Sequence, residues 1–258
     1  VGCCSQVCKH AEYFVRRFVQ SFVHRGFIEF ANRLLTFVLI LIALLTFIAI
    51  VRSGKAKRKG MVWPSFSLGL GIIAQAIIGG ISVLTNLNPW VVGLHFIVSS
   101  VLISIASILV WRFYKPEHQP VPYSVYLLTP WIALSGSVAL VVGVVVTGAG
   151  PHAGDANSPR NGLDLEIWQH LHSYPGYLSI ALTFVTLLLL VRVNKLNAVS
   201  LSTKITFWLF IALAIQAIIG IAQSRMGVPP ILVGLHMLGA SLIASLLTFQ
   251  WLSVRARS

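Results

Sequence analysis

Seven apolar runs, each crossed by few charges, organise this chain: approximately residues 28 to 51, 63 to 84, 90 to 112, 126 to 148, 170 to 193, 203 to 224 and 229 to 252. Each reaches the roughly 20 residues that an α-helix needs to cross a hydrocarbon core. A transmembrane barrel would show short alternating segments instead. The pattern predicts an all-α integral membrane protein.

Composition agrees. The 258 residues are 57% hydrophobic and 10% charged, with mean hydropathy +0.86, whereas about a quarter of the residues of a soluble domain are charged. The net charge of +13 does not point to nucleic acid, because the basic residues sit in the short connections between runs and form no single patch. They report orientation. Arg52, Lys55, Lys57, Arg58 and Lys59 follow the first run, Arg112 and Lys115 the third, Arg192, Lys195 and Lys204 lie between the fifth and sixth, and Arg255 and Arg257 end the chain. These are 12 of the 19 Lys and Arg, and they mark the cytoplasmic side of a bacterial cell membrane. Lys9, Arg16, Arg17, Arg25, Arg160 and Arg225 fall on the other side, the first four in a stretch that reads as an amphipathic surface helix. No cleaved signal peptide is visible. Cys3, Cys4 and Cys8 are then extracytoplasmic, where disulfides persist, and three cysteines leave one over.

Shifting the chain by 141 residues aligns "AQAIIGG" (74 to 80) with "IQAIIGI" (215 to 221), and "PWVVGLHFIVSS" (89 to 100) with "PILVGLHMLGAS" (230 to 241). Gln75 meets Gln216 and His95 meets His236 without a gap. Chance apolar similarity would not hold Gln, Gly, Pro and His in register, so the chain carries two copies of one helical unit. The second copy has four helices and the first three, which predicts an eight-helix protein of two pseudo-symmetric four-helix halves, its first helix lying before Val1. The segments are then 1–27, extracytoplasmic with the cysteines; 28–112, the N-terminal half; 113–125, a cytoplasmic linker; and 126–258, the C-terminal half.

An ionisable side chain in hydrocarbon costs about 2.5–3.5 kcal/mol on insertion scales, so each needs a partner or a task. The runs hold Glu29, Asn32 and Arg33, then His95, His170 with His172, and His236. All fall near the outer ends of their helices, at one depth. His172 and His236 are 64 residues apart and Asn32 and His95 are 63 apart, so each half sets a histidine opposite a polar residue two helices earlier. Two imidazoles on facing helices in apolar surroundings suit the two axial positions of a haem. No third or fourth Cys, His or carboxylate joins them, which argues against zinc. Gly93 and Gly234, with Ser99, Ser100, Gly239 and Ala240, would admit a helix or a flat macrocycle. His170 reads as an interfacial hydrogen-bonding group, and Gln75 and Gln216 as interhelical hydrogen bonders. Glu29 is either an interface carboxylate neutralised by Arg33, four residues on, or a proton-handling group beside a less protected haem face.

"VVTGAGPHAGD" (145 to 155), "FIEFANRLLTF" (27 to 37), "NPWVVGLH" (88 to 95) and "PPILVGLHMLG" (229 to 239) together resemble haem A synthase, the membrane enzyme that oxidises haem O to haem A for cytochrome oxidase. The resemblance implies haem b held through His172 and His236, and substrate haem O beside His95 and the acid Glu29, with Asn32 and Arg33 next to it. Asn32 stands where many members have His. The family's outer-loop cysteine pair implies a disulfide of Cys8 with Cys3 or Cys4, although "GCCSQVC" lacks the family's Trp and Pro. The reaction implied turns a ring methyl into a formyl group by successive oxidation, the hydrate losing water. Implied partners are haem O and haem O synthase, membrane lipid, an electron acceptor such as a quinone, and further copies of the chain. The competing function is a dihaem electron carrier of the cytochrome b type. That reading does not explain why the first half pairs His95 with Asn32. A transporter with inverted repeats fits less well, because the repeats are parallel and the polar groups share one depth.

Overall fold

The computed structural model describes residues 31, 34–54, 60–114, 116, 120–151, 158–193 and 200–255. Seven helices there are long and apolar enough to cross a membrane: α1 (Leu34–Arg52), α2 (Val62–Leu84), α3 (Pro89–Tyr114), α4 (Tyr123–Ala149), α5 (Leu165–Val193), α6 (Leu201–Arg225) and α7 (Pro230–Arg255). No strand occurs among the described residues. The protein is an all-α integral membrane protein.

Helix starts follow local chemistry. Pro89 and Pro230 open α3 and α7, where a missing N–H costs nothing and φ is already helical. Ser200 caps α6 by accepting from the Thr203 amide at 3.2 Å. Asp164 does the same for α5, accepting from the Ile167 amide at 2.9 Å. That cap explains why α5 begins at Leu165 and not at residue 170, where the apolar run begins: Glu166 and Gln169 interrupt the hydropathy but not the helix.

The repeat is also a repeat of backbone shape. The turn between α2 and α3 places Asn86 and Leu87 at φ 52° and 58°, and the turn between α6 and α7 places Gly227 and Val228, 141 residues later, at φ 72° and 60°. Leu87 donates its amide to Ser82 O at 2.7 Å and Val228 donates to Gln223 O at 2.9 Å, the same bond in both copies. A left-handed φ is costly for leucine and more so for valine, so both turns are held by the hairpins they close.

Helices α4, α5, α6 and α7 pack side by side in a closed ring, each touching two neighbours. Ile132, Leu209, Leu213, Ile243 and Leu247 form its apolar core, and Val125, Leu190 and Val254 a second cluster towards the end remote from the histidines. Helix α2 packs on α3, and α3 joins the ring by lying against both α4 and α7; the hydroxyls of Ser107 and Ser245, 2.8 Å apart, tie α3 to α7. Helix α1 meets the others through Ile50, which clusters with Met61 and Leu109. Large apolar side chains such as Leu84 (84% exposed) and Trp63 (76%) point outward, as the lipid face of such a bundle requires.

Candidate functional site

The three histidines lie one to two turns inside the start of α3, α5 and α7, all at the same end of the molecule, and all line one cavity of about 520 Å³. His172 and His236 face each other across it, ring centroids 6.1 Å apart and planes at 71°. The Nδ1 of His172 donates to Ala139 O of α4 at 3.0 Å, which fixes the tautomer and turns the lone pair of Nε2 outward. The Nδ1 atoms of His95 and His236 are buried and have no hydrogen-bond partner among the described residues.

Each imidazole is seated on a glycine of the preceding helix. A Cβ at Gly143 would stand 2.9 Å from His172 Cε1, at Gly220 3.2 Å from His236 Cε1, and at Gly79 3.6 Å from His95 Cε1. Gly79 and Gly220 are register partners in the repeat. So are the glutamines: Gln75 donates to His95 O at 2.9 Å and Gln216 to His236 O at 2.6 Å. These are the interhelical hydrogen bonds expected of them, and each binds a hairpin together at the level of its histidine. In the first hairpin Gln75 also donates to the Ser99 hydroxyl.

Other positions divide. Gly93 serves the contact between α3 and α4, since a Cβ there would meet Val144 Cγ1 at 2.5 Å, and a Cβ at Gly239 would run into Gln216 Oε1. Gly234 has nothing within 4 Å among the described residues, so it makes no close approach. Ser99 and Ala240 line the cavity, whereas Ser100 lies on the wall of another space. His170 is exposed and lines the cavity along with Arg225. Glu29, Asn32, Arg33, Cys3, Cys4 and Cys8 lie outside the described residues. Hydropathy could not show which glycines touch a ring, although the in-register glycine of "AQAIIGG" and "IQAIIGI" was a signal for two of the three.

Two imidazoles with centroids 6.1 Å apart are at a separation compatible with one shared metal. Two metal–imidazole bonds of about 2 Å each, with each nitrogen roughly 1 Å from its ring centre by covalent geometry, add to roughly that separation. The described residues bring no group of three or more His, Cys, Asp or Glu together. The pair is a two-nitrogen donor set that one metal could share, as in haem ligation.

Residues 9–162 match the cytochrome oxidase assembly protein family. The chain belongs to that family. The match spans α1 to α4 and the loop after α4, and as a member of the haem A synthase family this assembly protein has its role in building cytochrome oxidase. Among curated proteins and among solved structures, none matches it.

Proposed function

We infer that this assembly protein is a haem A synthase, which oxidises a ring methyl of haem O to the formyl group of haem A. The observation that carries the reading is the facing pair His172 and His236 in a largely apolar cavity, their ring centroids 6.1 Å apart. Haem b, once bound there, supplies one-electron redox chemistry. The chain supplies the rest. His172 and His236 would hold the iron, and the Ala139 carbonyl, accepting from His172 Nδ1, leaves Nε2 as the ligating nitrogen. Gly143 and Gly220 leave room for the two rings. Arg225, on the cavity wall, would offer a positive charge to carboxylates of the bound group.

Haem O, the substrate, sits in the N-terminal half beside His95. The repeat supports that placement, because the Gln75 hydrogen bond and the Gly79 contact reproduce for His95 the seat of His236. By sequence spacing Asn32 pairs with His95, and an amide is a poorer iron ligand than imidazole, so the substrate would be held weakly enough to exchange. Glu29, three residues before Asn32, takes or delivers protons at the ring edge. The electrons released by the oxidation need an outside acceptor, such as a quinone.

The test is expression of the full chain in cells that make haem O but no haem A, followed by pigment extraction and chromatography. Haem A is the expected product. Haem b alone would sink the synthase reading in favour of electron transfer.

A further inference from the structure

Four polar side chains form one layer deep in the ring of α4 to α7. Thr129, Thr186, Thr206 and Gln250, one from each helix, are all fully buried. Their level is set by the seats of the histidines. Thr186 and Gln250 follow His172 and His236 by 14 residues, and Thr129 and Thr206 precede Gly143 and Gly220, the glycines under those rings, by the same 14. Fourteen residues are about 21 Å of helix and two heptads, so a position that faces the bundle axis faces it again at that spacing.

The neighbouring layer confirms the level. Val125, Leu190 and Val254, each four residues farther from the histidines on α4, α5 and α7, form one cluster. On α6 the corresponding step leads to Ser202, whose hydroxyl donates to Ser253 O at 3.0 Å.

Within the polar layer the only bond among the described residues is long: Gln250 Nε2 donates to Thr129 Oγ1 at 3.4 Å. Gln250 Oε1, Thr186 Oγ1 and Thr206 Oγ1 have no partner there. Thr129 alone is satisfied by its own helix, donating to Val125 O at 2.9 Å. A buried hydroxyl or amide without a partner is costly in protein and more so in hydrocarbon, and three at one level on three neighbouring helices, beside a stretched fourth contact, are the kind of group that a bound water satisfies.

We propose that this layer is an internal water site: a water molecule donates to Gln250 Oε1 and bridges the Thr186 and Thr206 hydroxyls, linking α5, α6 and α7. The site belongs to the C-terminal copy alone. At the register positions of Thr206 and Gln250 the N-terminal copy has Ser65, whose hydroxyl is satisfied by Val62 O of its own helix at 2.9 Å, and Leu109, an apolar residue of the α1–α3 contact.

An experimental structure of the full chain in lipid nanodiscs, at a resolution that shows water, tests this directly. The expected result is a peak within about 3.2 Å of Gln250 Oε1 and of at least one of the two threonine hydroxyls. Hydroxyls turned onto their own helix carbonyls, with no peak between them, would overturn it. Thermal unfolding gives a second measure. Thr186→Val and Thr206→Val should each lower the midpoint by about 2–4 °C, whereas Thr186→Ser and Thr206→Ser should stay near wild type, because serine keeps the hydroxyl. Valine variants as stable as wild type would contradict the site, and a midpoint that rises with sodium but not with choline would replace the water by a cation.

Discussion

The hairpin α2–α3 and the hairpin α6–α7 are one unit built twice. Both use a glutamine to hold the carbonyl of a histidine, a glycine under the imidazole, and the same turn with two left-handed residues. They differ in what the histidine looks at. His236 faces His172 inside a closed ring of four helices, and farther down that ring Thr129, Thr186, Thr206 and Gln250 are fully buried. His95 lines the same cavity, but its sequence counterpart to His172 is Asn32. The hairpin presents an imidazole in both copies; under the proposed function, the residue set against it would decide whether a haem is kept or exchanged.

The largest expected effect breaks the comparison outright. His172→Ala or His236→Ala should remove the haem b spectrum from the purified protein while the chain still inserts in the membrane. His95→Ala and Glu29→Ala should leave haem b near wild type and abolish haem A formation. An unchanged low-spin haem b spectrum in the first two variants would detach the pair from haem ligation.

Next come the glycine seats, which grade the two copies. Gly143→Val places atoms against His172 Cε1, where even a Cβ would stand at 2.9 Å, and should lower haem b content at least tenfold, equivalent to about 1.4 kcal/mol. Gly220→Ala meets His236 at 3.2 Å and should cost less, and Gly79→Ala, at an ordinary 3.6 Å from His95, should leave haem b unchanged. Absorbance titration with haem ranks the three; equal behaviour would mean the seats do not matter.

Much of this was legible in the sequence. Seven runs predicted seven helices, and the spacing of His172 and His236 predicted that they face each other. The fit under each ring was not legible. Gly93 and Gly234 occupy the same place in the repeat, yet one is pressed against Val144 and the other meets nothing within 4 Å among the described residues. The layer of Thr129, Thr186, Thr206 and Gln250 was hidden for a similar reason. Hydroxyl residues are common in membrane helices, and only the relative heights of four helices place these four at one level. The start of α5 was missed although its capping signal, Asp164, stands in the sequence.

A smaller effect is expected at the glutamines. Gln75→Leu and Gln216→Leu each remove one interhelical hydrogen bond, worth about 0.6 kcal/mol and at most about 1.7 in a membrane bundle. Gln216→Leu should weaken haem b retention slightly and Gln75→Leu should not, as dilution-driven haem loss would show. The smallest is Gly234→Ala, which fills open space and should change stability by no more than about 0.5 kcal/mol, whereas Gly93→Ala should destabilise through its contact with Val144.

The central claim, one permanent haem site and one exchangeable site, is tested most directly by counting haems on the purified full chain before and after incubation with excess apomyoglobin as a haem acceptor. The account predicts one haem b per chain that survives the exchange and depends on His172 and His236, with any second haem lost to the acceptor. Two haem b per chain, both resistant to exchange, would contradict it.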